Sequence, residues 1–406
     1  MNLLPKKLSK FGSKPGLERM TKIMKKLGNP EQRMKVILVT GTNGKGSVTS
    51  FLSAILAADG YKVGSYFSPH LLKYNERFKI NGKDISDAKL KKYEKIVLAL
   101  FAKKYSMTEF EALTAIAYKY FADENCDFAI MEIGMGGRLD ATNIAEECLS
   151  IITNVDLEHT DYLGDTIEKV ASEKAGIMKK GIAITGAKGN SLEVIKEEAN
   201  RKNIQLFVLN EDFFGKPIIL NSKKGAFNYV GADFFNALEI KLIGRHQIDN
   251  AALAVAAAEQ LGVEEEAIKK GLKKATNPAR LQLISKSPKR ILVDAAHNPH
   301  GMRELIANLN LFDYDKLVCV FGVMKDKDWK EMLKTLAPHC DLLITNQPKA
   351  ERSESADAIA NEASQYVDSI AVKDVKKSLL YAKKKAKKND LILVCGSIYM
   401  IGELIG

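Results

Sequence analysis

Between Gly41 and Ser47 the chain reads Gly-Thr-Asn-Gly-Lys-Gly-Ser, directly after an apolar run over residues 36–40. Glycine accepts positive φ and lets the backbone approach a ligand closely. Gly41, Gly44 and Gly46 thus allow the N–H groups around Thr42 and Asn43 to converge on a polyphosphate, at the N-terminus of a helix starting near Ser47. Lys45 would add positive charge and Ser47 a hydroxyl for Mg²⁺. The spacing departs from G-x-x-x-x-G-K-[ST], because Gly41 lies too close to Gly44 and Gly46 separates Lys45 from Ser47. A plain Gly-rich turn between strand and helix is the alternative.

Glu132 sits inside the apolar run 127–133, where a carboxylate is costly to bury unless it is paired or holds a metal. Hydroxyl and carboxylate oxygens suit Mg²⁺, and a buried pair with Arg138 is the competing reading. His159 stands among Asp156, Glu158 and Asp161, and alone reads as an ordinary loop histidine. Lys174 by itself reads as an exposed helix lysine.

The elements that must position these groups follow from pattern. A short basic arm and a helix over 17–27, stopped by Gly28-Asn29-Pro30, precede a βαβ unit: strand 36–40, helix 47–59, strand 62–66. Pro69 should end the second strand and leave Ser68 beside the Gly-rich loop. Helices are expected over 86–105, 108–124 and about 166–175, with strands over 127–133 and 149–154. Further βα units run to about 209, and 210–242 reads as irregular or antiparallel. The helix 247–261 is alanine-rich and apolar on several faces, hence buried. Beyond 275–280 the alternation restarts, with strands near 291–295, 317–322, 342–345 and 391–395 and a helix over 375–388 that Asp374 could cap. The fold class expected is α/β: a P-loop parallel-sheet ATPase domain, residues 1–282, followed by a smaller Rossmann-like α/β domain, residues 283–406.

At 406 residues a sizeable core is expected. No apolar run reaches the ~18 residues of a membrane span, no secretory signal is present, and the scattered cysteines read as reduced cytoplasmic thiols. The net charge of +11 raises nucleic acid as a partner, but aromatics are only 7% and the run 383–388 has none interleaved to stack on bases. A solvated helix face explains it better, and a basic balance also suits polyanionic small substrates.

Taken together, the motifs resemble the folylpolyglutamate synthase and dihydrofolate synthase branch of the Mur ligase superfamily. The matching segments are Lys14-Pro-Gly-Leu-Glu-Arg19, the Gly-rich loop, Ser68-Pro-His-Leu71 with Asn75-Glu-Arg-Phe-Lys-Ile-Asn-Gly82, and Met131-Glu-Ile-Gly-Met-Gly-Gly-Arg-Leu-Asp-Ala-Thr-Asn143. Thr153-Asn-Val-Asp-Leu-Glu-His-Thr-Asp-Tyr-Leu-Gly164, Ser172-Glu-Lys-Ala-Gly-Ile177, Gly244-Arg-His-Gln-Ile-Asp-Asn250, Asp294-Ala-Ala-His-Asn-Pro-His-Gly301 and Gly396-Ser-Ile-Tyr399 follow in family order.

The resemblance implies ATP-dependent ligation of L-glutamate to a folate carboxylate, and to dihydropteroate, through an acyl phosphate. It puts Gly41, Thr42, Asn43, Gly44, Lys45, Gly46 and Ser47 on the ATP phosphates, and Asn250, Arg280 and Asp294 on the nucleotide. Ser68 and Glu132 would bind one Mg²⁺, and His159 a second with Lys174 as a carbamate. Lys45, Lys174 and His297, the last by the cleft between the domains, would act in the chemistry. Thr108, Glu109, Phe110 and Glu111, with Leu139, Asp140 and Ala141, would meet the pterin end. A monomer acting on small molecules is expected, with neither nucleic acid nor membrane as partner. The alternatives are another Mur-type amino-acid ligase and a basic P-loop NTPase acting on nucleic acid. Cell-wall Mur ligases carry a nucleotide-sugar domain before the loop, for which the preceding stretch is too short.

Overall fold

The computed structural model describes residues 16–102 and 107–406. The basic arm, Lys14 of the first motif and the end of the helix expected over 86–105 fall outside them. Contacts divide the chain into two compact units. One consists of Ile219–Gly225, Leu242–His246 and Asn277–Gly406, the other of the remaining described residues.

In the first unit α1 (Glu18–Lys26) ends before Gly28 and Asn29, both at positive φ, which turn the chain into Pro30. β1 (Lys35–Thr40) is buried from Val36 onward. α2 (Lys45–Ala58) starts at Lys45 rather than Ser47, because Gly44, left-handed at φ 85°, takes the N-cap position. There follow β2 (Val63–Tyr66), β3 (Phe78–Ile80), β4 (Lys83–Asp84), α3 (Asp87–Ala102), α4 (Glu109–Asp123), β5 (Phe128–Glu132) and β6 (Glu147–Ile152). A one-turn α5 (Thr160–Leu163), absent from the sequence pattern, precedes α6 (Ile167–Ala175), β7 (Ile182–Thr185), α7 (Asn190–Lys202) and β8 (Gln205–Val208).

These strands form an eight-stranded sheet of order β4-β3-β2-β5-β1-β6-β7-β8. β2, β5, β1, β6, β7 and β8 pair in parallel, which requires crossover connections such as α2 and α7, and β3 and β4 pair antiparallel at the edge. The register sets Val39 opposite Glu132 and Thr40 opposite Ile152, so the carboxyl ends of the three central strands lie side by side. Strand order reverses at β1, and the crevice beyond those ends is where such a sheet takes its ligands. Beneath, Leu38, Met131, Ile116 and Phe121 are fully buried in one cluster. A Cβ on Gly64 would come within 2.4 Å of the Phe121 ring, so β2 packs that closely only with glycine there.

Residues 210–242, expected to be irregular or antiparallel, contain β9 (Phe214–Leu220), β10 (Gly225–Val230) and β11 (Phe234–Ile240) in a separate three-stranded sheet. Their connections are far too short for parallel crossovers, so the strands run as hairpins. α8 (Arg245–Gln260) buries Ala251, Ala252, Ala254 and Ala257 completely, as its composition implied. α9 (Glu265–Lys274) lies so close to α2 that a Cβ on Gly271 would meet the Ile55 backbone at 2.3 Å.

The second unit contains β12 (Gln282–Ser285), β13 (Arg290–Asp294), α10 (Pro299–Ala307), β14 (Leu317–Phe321), α11 (Trp329–Leu336) and β15 (Leu342–Thr345). α12 (Ala356–Ala363), β16 (Ser369–Ala371), α13 (Val375–Lys385), β17 (Leu391–Cys395) and α14 (Ile398–Ile405) complete it. The sheet order is β12-β13-β17-β14-β15-β16, parallel except for β12. β17 enters between β13 and β14, so the order reverses there too. Leu292, Cys319, Leu343 and Leu393 centre its core. Among the described residues no helix is long and apolar enough to cross a membrane.

Candidate active site

The Gly-rich loop is shaped by β1 on one side and by the chain leaving β6 on the other. Thr42 N–H donates to Asn154 O (3.1 Å) and Asn43 N–H to Asn154 Oδ1 (2.8 Å). Thr153 Oγ1 donates to Asn43 O (2.5 Å), and Thr42 Oγ1 exchanges hydrogen bonds with the Asp156 backbone. A Cβ on Gly41 would collide with Thr153 Oγ1 at 1.9 Å, and one on Gly44 with Asn250 Oδ1 at 2.4 Å. The glycines are therefore required by packing as well as by φ. Lys45 Nζ folds back onto Gly41 O (2.7 Å) and Thr42 O (3.1 Å), holding its charge over the loop at the start of α2.

Glu132, 5% exposed, ends β5, and its Oε2 accepts from Ser68 N–H at 3.1 Å. The two expected ligands of the first Mg²⁺ are thus neighbours. Arg138, the alternative partner, turns to Glu173 (3.5 Å) and to Ser172 O.

Lys174 is 1% exposed on α6, and its Nζ lies 2.6 Å from Glu158 Oε1. Its environment contradicts the exposed helix lysine that its local sequence suggests. Burial lowers its pKa to about 8 against the opposing pull of Glu158, with Lys45 lowering it further. Burial would raise Glu158, but the charges of Lys174 and Lys45 hold it at about 2. His159, left-handed at φ 49° ahead of α5, also acts on Glu158. Lys45, Glu158, His159 and Lys174 therefore share one electrostatic neighbourhood.

Among the described residues no three His, Cys, Asp or Glu side chains are grouped to hold a metal. A buried strand-end carboxylate beside a serine does fit a cation that binds oxygen and keeps its waters. Lys174 as an ammonium is no ligand, and becomes one only when carbamylated.

The segments expected at the pterin end are held by their own structure. Thr108 and Glu111 form the capping box of α4: Thr108 N–H donates to Glu111 Oε2 (2.7 Å) and Glu111 N–H to Thr108 Oγ1 (3.1 Å). Glu111 also pairs with Arg19 at 3.0 Å. Glu109 Oε1 accepts from Tyr74 OH (2.6 Å), and Phe110 lies against Gly134, where a Cβ would meet its ring at 2.5 Å. Asp140 accepts from the N–H groups of Gly134, Met135 and Thr142 and from Thr142 Oγ1, fixing the turn after β5. Leu139 is exposed and Ala141 buried.

Asn250 belongs to the first unit and donates to Gln247 Oε1 (3.2 Å). In the second unit Asp294, at the end of β13, accepts from Leu281 and Ala296 N–H groups. Arg280 donates to Ala279 O (3.3 Å) and His297 Nδ1 lies 2.9 Å from Ala295 O. Glu158, Thr153, Asn154 and Tyr74 hold the site together although their sequence pattern does not mark them as site residues. The only sequence signal for the first three was their place in the motif after β6.

The chain matches the Mur ligase middle domain over residues 39–258 and the Mur ligase glutamate ligase domain over 279–398. It is 35% identical to dihydrofolate synthase/folylpolyglutamate synthase of Bacillus subtilis, covering 97% of this chain and 95% of that one. Of solved structures, E. coli FolC in complex with DHPP and ADP superposes with a TM-score of 0.90 at 30% identity, over 98% of this chain and 94% of that chain. A bifunctional folylpolyglutamate synthase/dihydrofolate synthase with Mn, AMPPNP and L-glutamate bound gives 0.87 at 31%, over 97% and 94%.

Proposed function

We infer the reaction from kinship: the chain belongs to the Mur ligases and, within them, to the family of folylpolyglutamate and dihydrofolate synthases. It ligates L-glutamate to the carboxylate of a folate, consuming ATP. We extend this to dihydropteroate as a second acceptor. A carboxylate oxygen attacks the γ-phosphorus, giving an acyl phosphate and ADP. The glutamate amine then attacks the acyl carbon, expelling phosphate and losing a proton.

The observation that carries this reading is the backbone cradle at Gly41 and Gly44, which excludes any side chain, with the part-buried Glu132–Ser68 contact at the end of the strand neighbouring β1. The N–H groups of the first turn of α2 point along its axis toward an anion placed there. Lys45 would exchange the carbonyls of Gly41 and Thr42 for phosphate oxygens, keeping its charge at the transferred group. Glu132 and Ser68 would hold Mg²⁺, as would His159 and a carbamate on Lys174; bound there, the ion offsets charge building on the phosphoryl oxygens. The residues act by orientation and electrostatics. The five cysteines are free thiols, which favours a reducing, cytoplasmic setting.

The test is incubation with ATP, Mg²⁺ and L-glutamate plus either dihydropteroate or tetrahydrofolate, with products identified by mass. One added glutamate on each acceptor is expected. Extension of tetrahydrofolate alone would restrict the enzyme to folylpolyglutamate synthesis, and no glutamylated product with either acceptor would overturn the reading.

A further inference from the structure

We propose that the solvent face of α13 is a docking track for the polyanionic glutamate tail that the product acquires; the idea rests on the folylpolyglutamate synthase reading. Lys373, Lys376, Lys377 and the lysines of the 383–388 run are all exposed, and among the described residues no ion pair to any of them is found. The nearby acids carry backbone hydrogen bonds, and Asp374 also feels the charge of Lys377. Asp374 caps the helix through Lys377 N–H (2.8 Å), Asp390 is buried and accepts from Lys387 N–H (2.6 Å), and Glu403 accepts from Lys349 N–H (2.5 Å).

Two features separate this face from an ordinary solvated one. The C-terminal lysines suit the helix dipole, but Lys376 and Lys377 stand in the first turn, where cations are disfavoured and, among the described residues, the capping Asp374 is the one carboxylate at that end of the helix. Leu380, 57% exposed, lies between the two lysine groups, giving an apolar spot inside a cationic stripe. Each glutamate added to a folate brings one carboxylate and two methylenes, whichever carboxyl forms the amide. A stripe alternating cations with an apolar contact complements that repeat. Its start is also suitably placed: Lys373 O accepts from Gln347 N–H (3.1 Å) just beyond β15, so the track begins at the carboxyl edge of the parallel sheet, where such sheets take ligands. From Val375 to Lys385 it runs about 15 Å, room for several glutamates.

The test uses the full chain with Lys376, Lys377, Lys383 and Lys384→Glu, and the same four→Gln as a milder set should the first fail to fold. With four exposed contacts of ordinary strength lost, KM for a tetraglutamylated folate should rise about tenfold. KM for the monoglutamate and both kcat values should stay within twofold, and the wild-type KM for the tetraglutamate should rise with salt more steeply than that for the monoglutamate. A linear tetraglutamate titrated onto wild type and variant reads the same contact without turnover, so a wild type inactive on every folate would sink the parent reading and leave this one testable. Equal KM changes for both tail lengths, no change, or lysine-dependent binding of duplex DNA or phosphatidylserine vesicles tighter than tetraglutamate would overturn the proposal.

Discussion

Lys174 sits almost wholly buried with its Nζ on Glu158, and burial lowers its pKa to about 8 from the usual 10.5. Only the neutral amine attacks CO₂, so the lowered value enlarges the reactive fraction at neutral pH. Carbamate on Lys174, followed by ¹³C NMR with labelled bicarbonate at fixed dissolved CO₂, should therefore increase as pH rises through about 8; Lys174→Arg should show no signal and no ligation, since arginine keeps the charge without forming a carbamate. A fully active, magnesium-loaded enzyme without the signal would refute the assignment. The same shift has a sign for stability. Between about pH 8 and 10.5 the unfolded chain binds more protons at this site than the native one, so the Lys174 contribution to stability improves as pH rises through that window. Glu158 acts at the other end: its contribution is complete above its ordinary 4.5 and is lost as pH falls toward about 2. At Glu132, Gln would keep an oxygen to accept from Ser68 N–H but remove the charge. Glu132→Gln should melt within a few degrees of wild type while kcat falls roughly 10²–10³-fold, on the scale of losing one electrostatic contact to the transition state; near-normal turnover at saturating Mg²⁺ would remove it from the metal site.

The strands and helices that bear chemistry were legible because period and punctuation agree. The run into Thr40, the glycines after it and the run into Glu132 each announce an element and its end, and β1 and β5 run as those residues suggested. Less legible was what the termini do. Thr108-x-x-Glu111 carries the plain signature of a capping box; the resemblance assigns both residues to the substrate, and in the structure the pair caps α4 while Glu111 also meets Arg19, far away in sequence. Long-range partners such as Arg19–Glu111, Tyr74–Glu109 and Lys174–Glu158 leave no local periodic trace, which is why an exposed lysine was the natural reading of residue 174. The capping geometry yields its own expectation. Glu111→Ala should destabilise the first unit by about 1–3 kcal/mol, from a lost cap and a lost charged hydrogen bond, read as a lower urea midpoint at unchanged m-value. Glu111→Gln, which keeps the box acceptor, should lose less and leave KM for folate unaltered; a large KM increase with normal stability would show instead that Glu111 touches substrate.

At the scale of the molecule, the chain's two units each have their own sheet and core. The sequence showed two runs of α/β alternation, but the grouping of Leu242–His246 with the later unit could not be seen there. Ile243 belongs to the same buried cluster as Leu281 and Leu292, a grouping that no local pattern encodes. Ligand linkage follows from the first unit's architecture. The Gly-rich loop is tied into the sheet through Thr153, Asn154 and Asp156, so an anion bound by its amides should stabilise the folded unit without binding the unfolded chain. Magnesium–ATP at 100 times its dissociation constant then adds about 2.7 kcal/mol. For a body of this size that corresponds to a rise in melting midpoint of roughly 5–10 °C. Lys45→Ala removes a cation from the loop but leaves the ties to Thr153 and Asn154, so the unliganded midpoint should stay near wild type while most of the ATP-induced rise disappears. Calorimetry with and without ATP at fixed Mg²⁺ measures both quantities. An undiminished rise in the Lys45→Ala protein would mean that ATP is held elsewhere, and the phosphate site assigned to residues 41–47 would have to be abandoned.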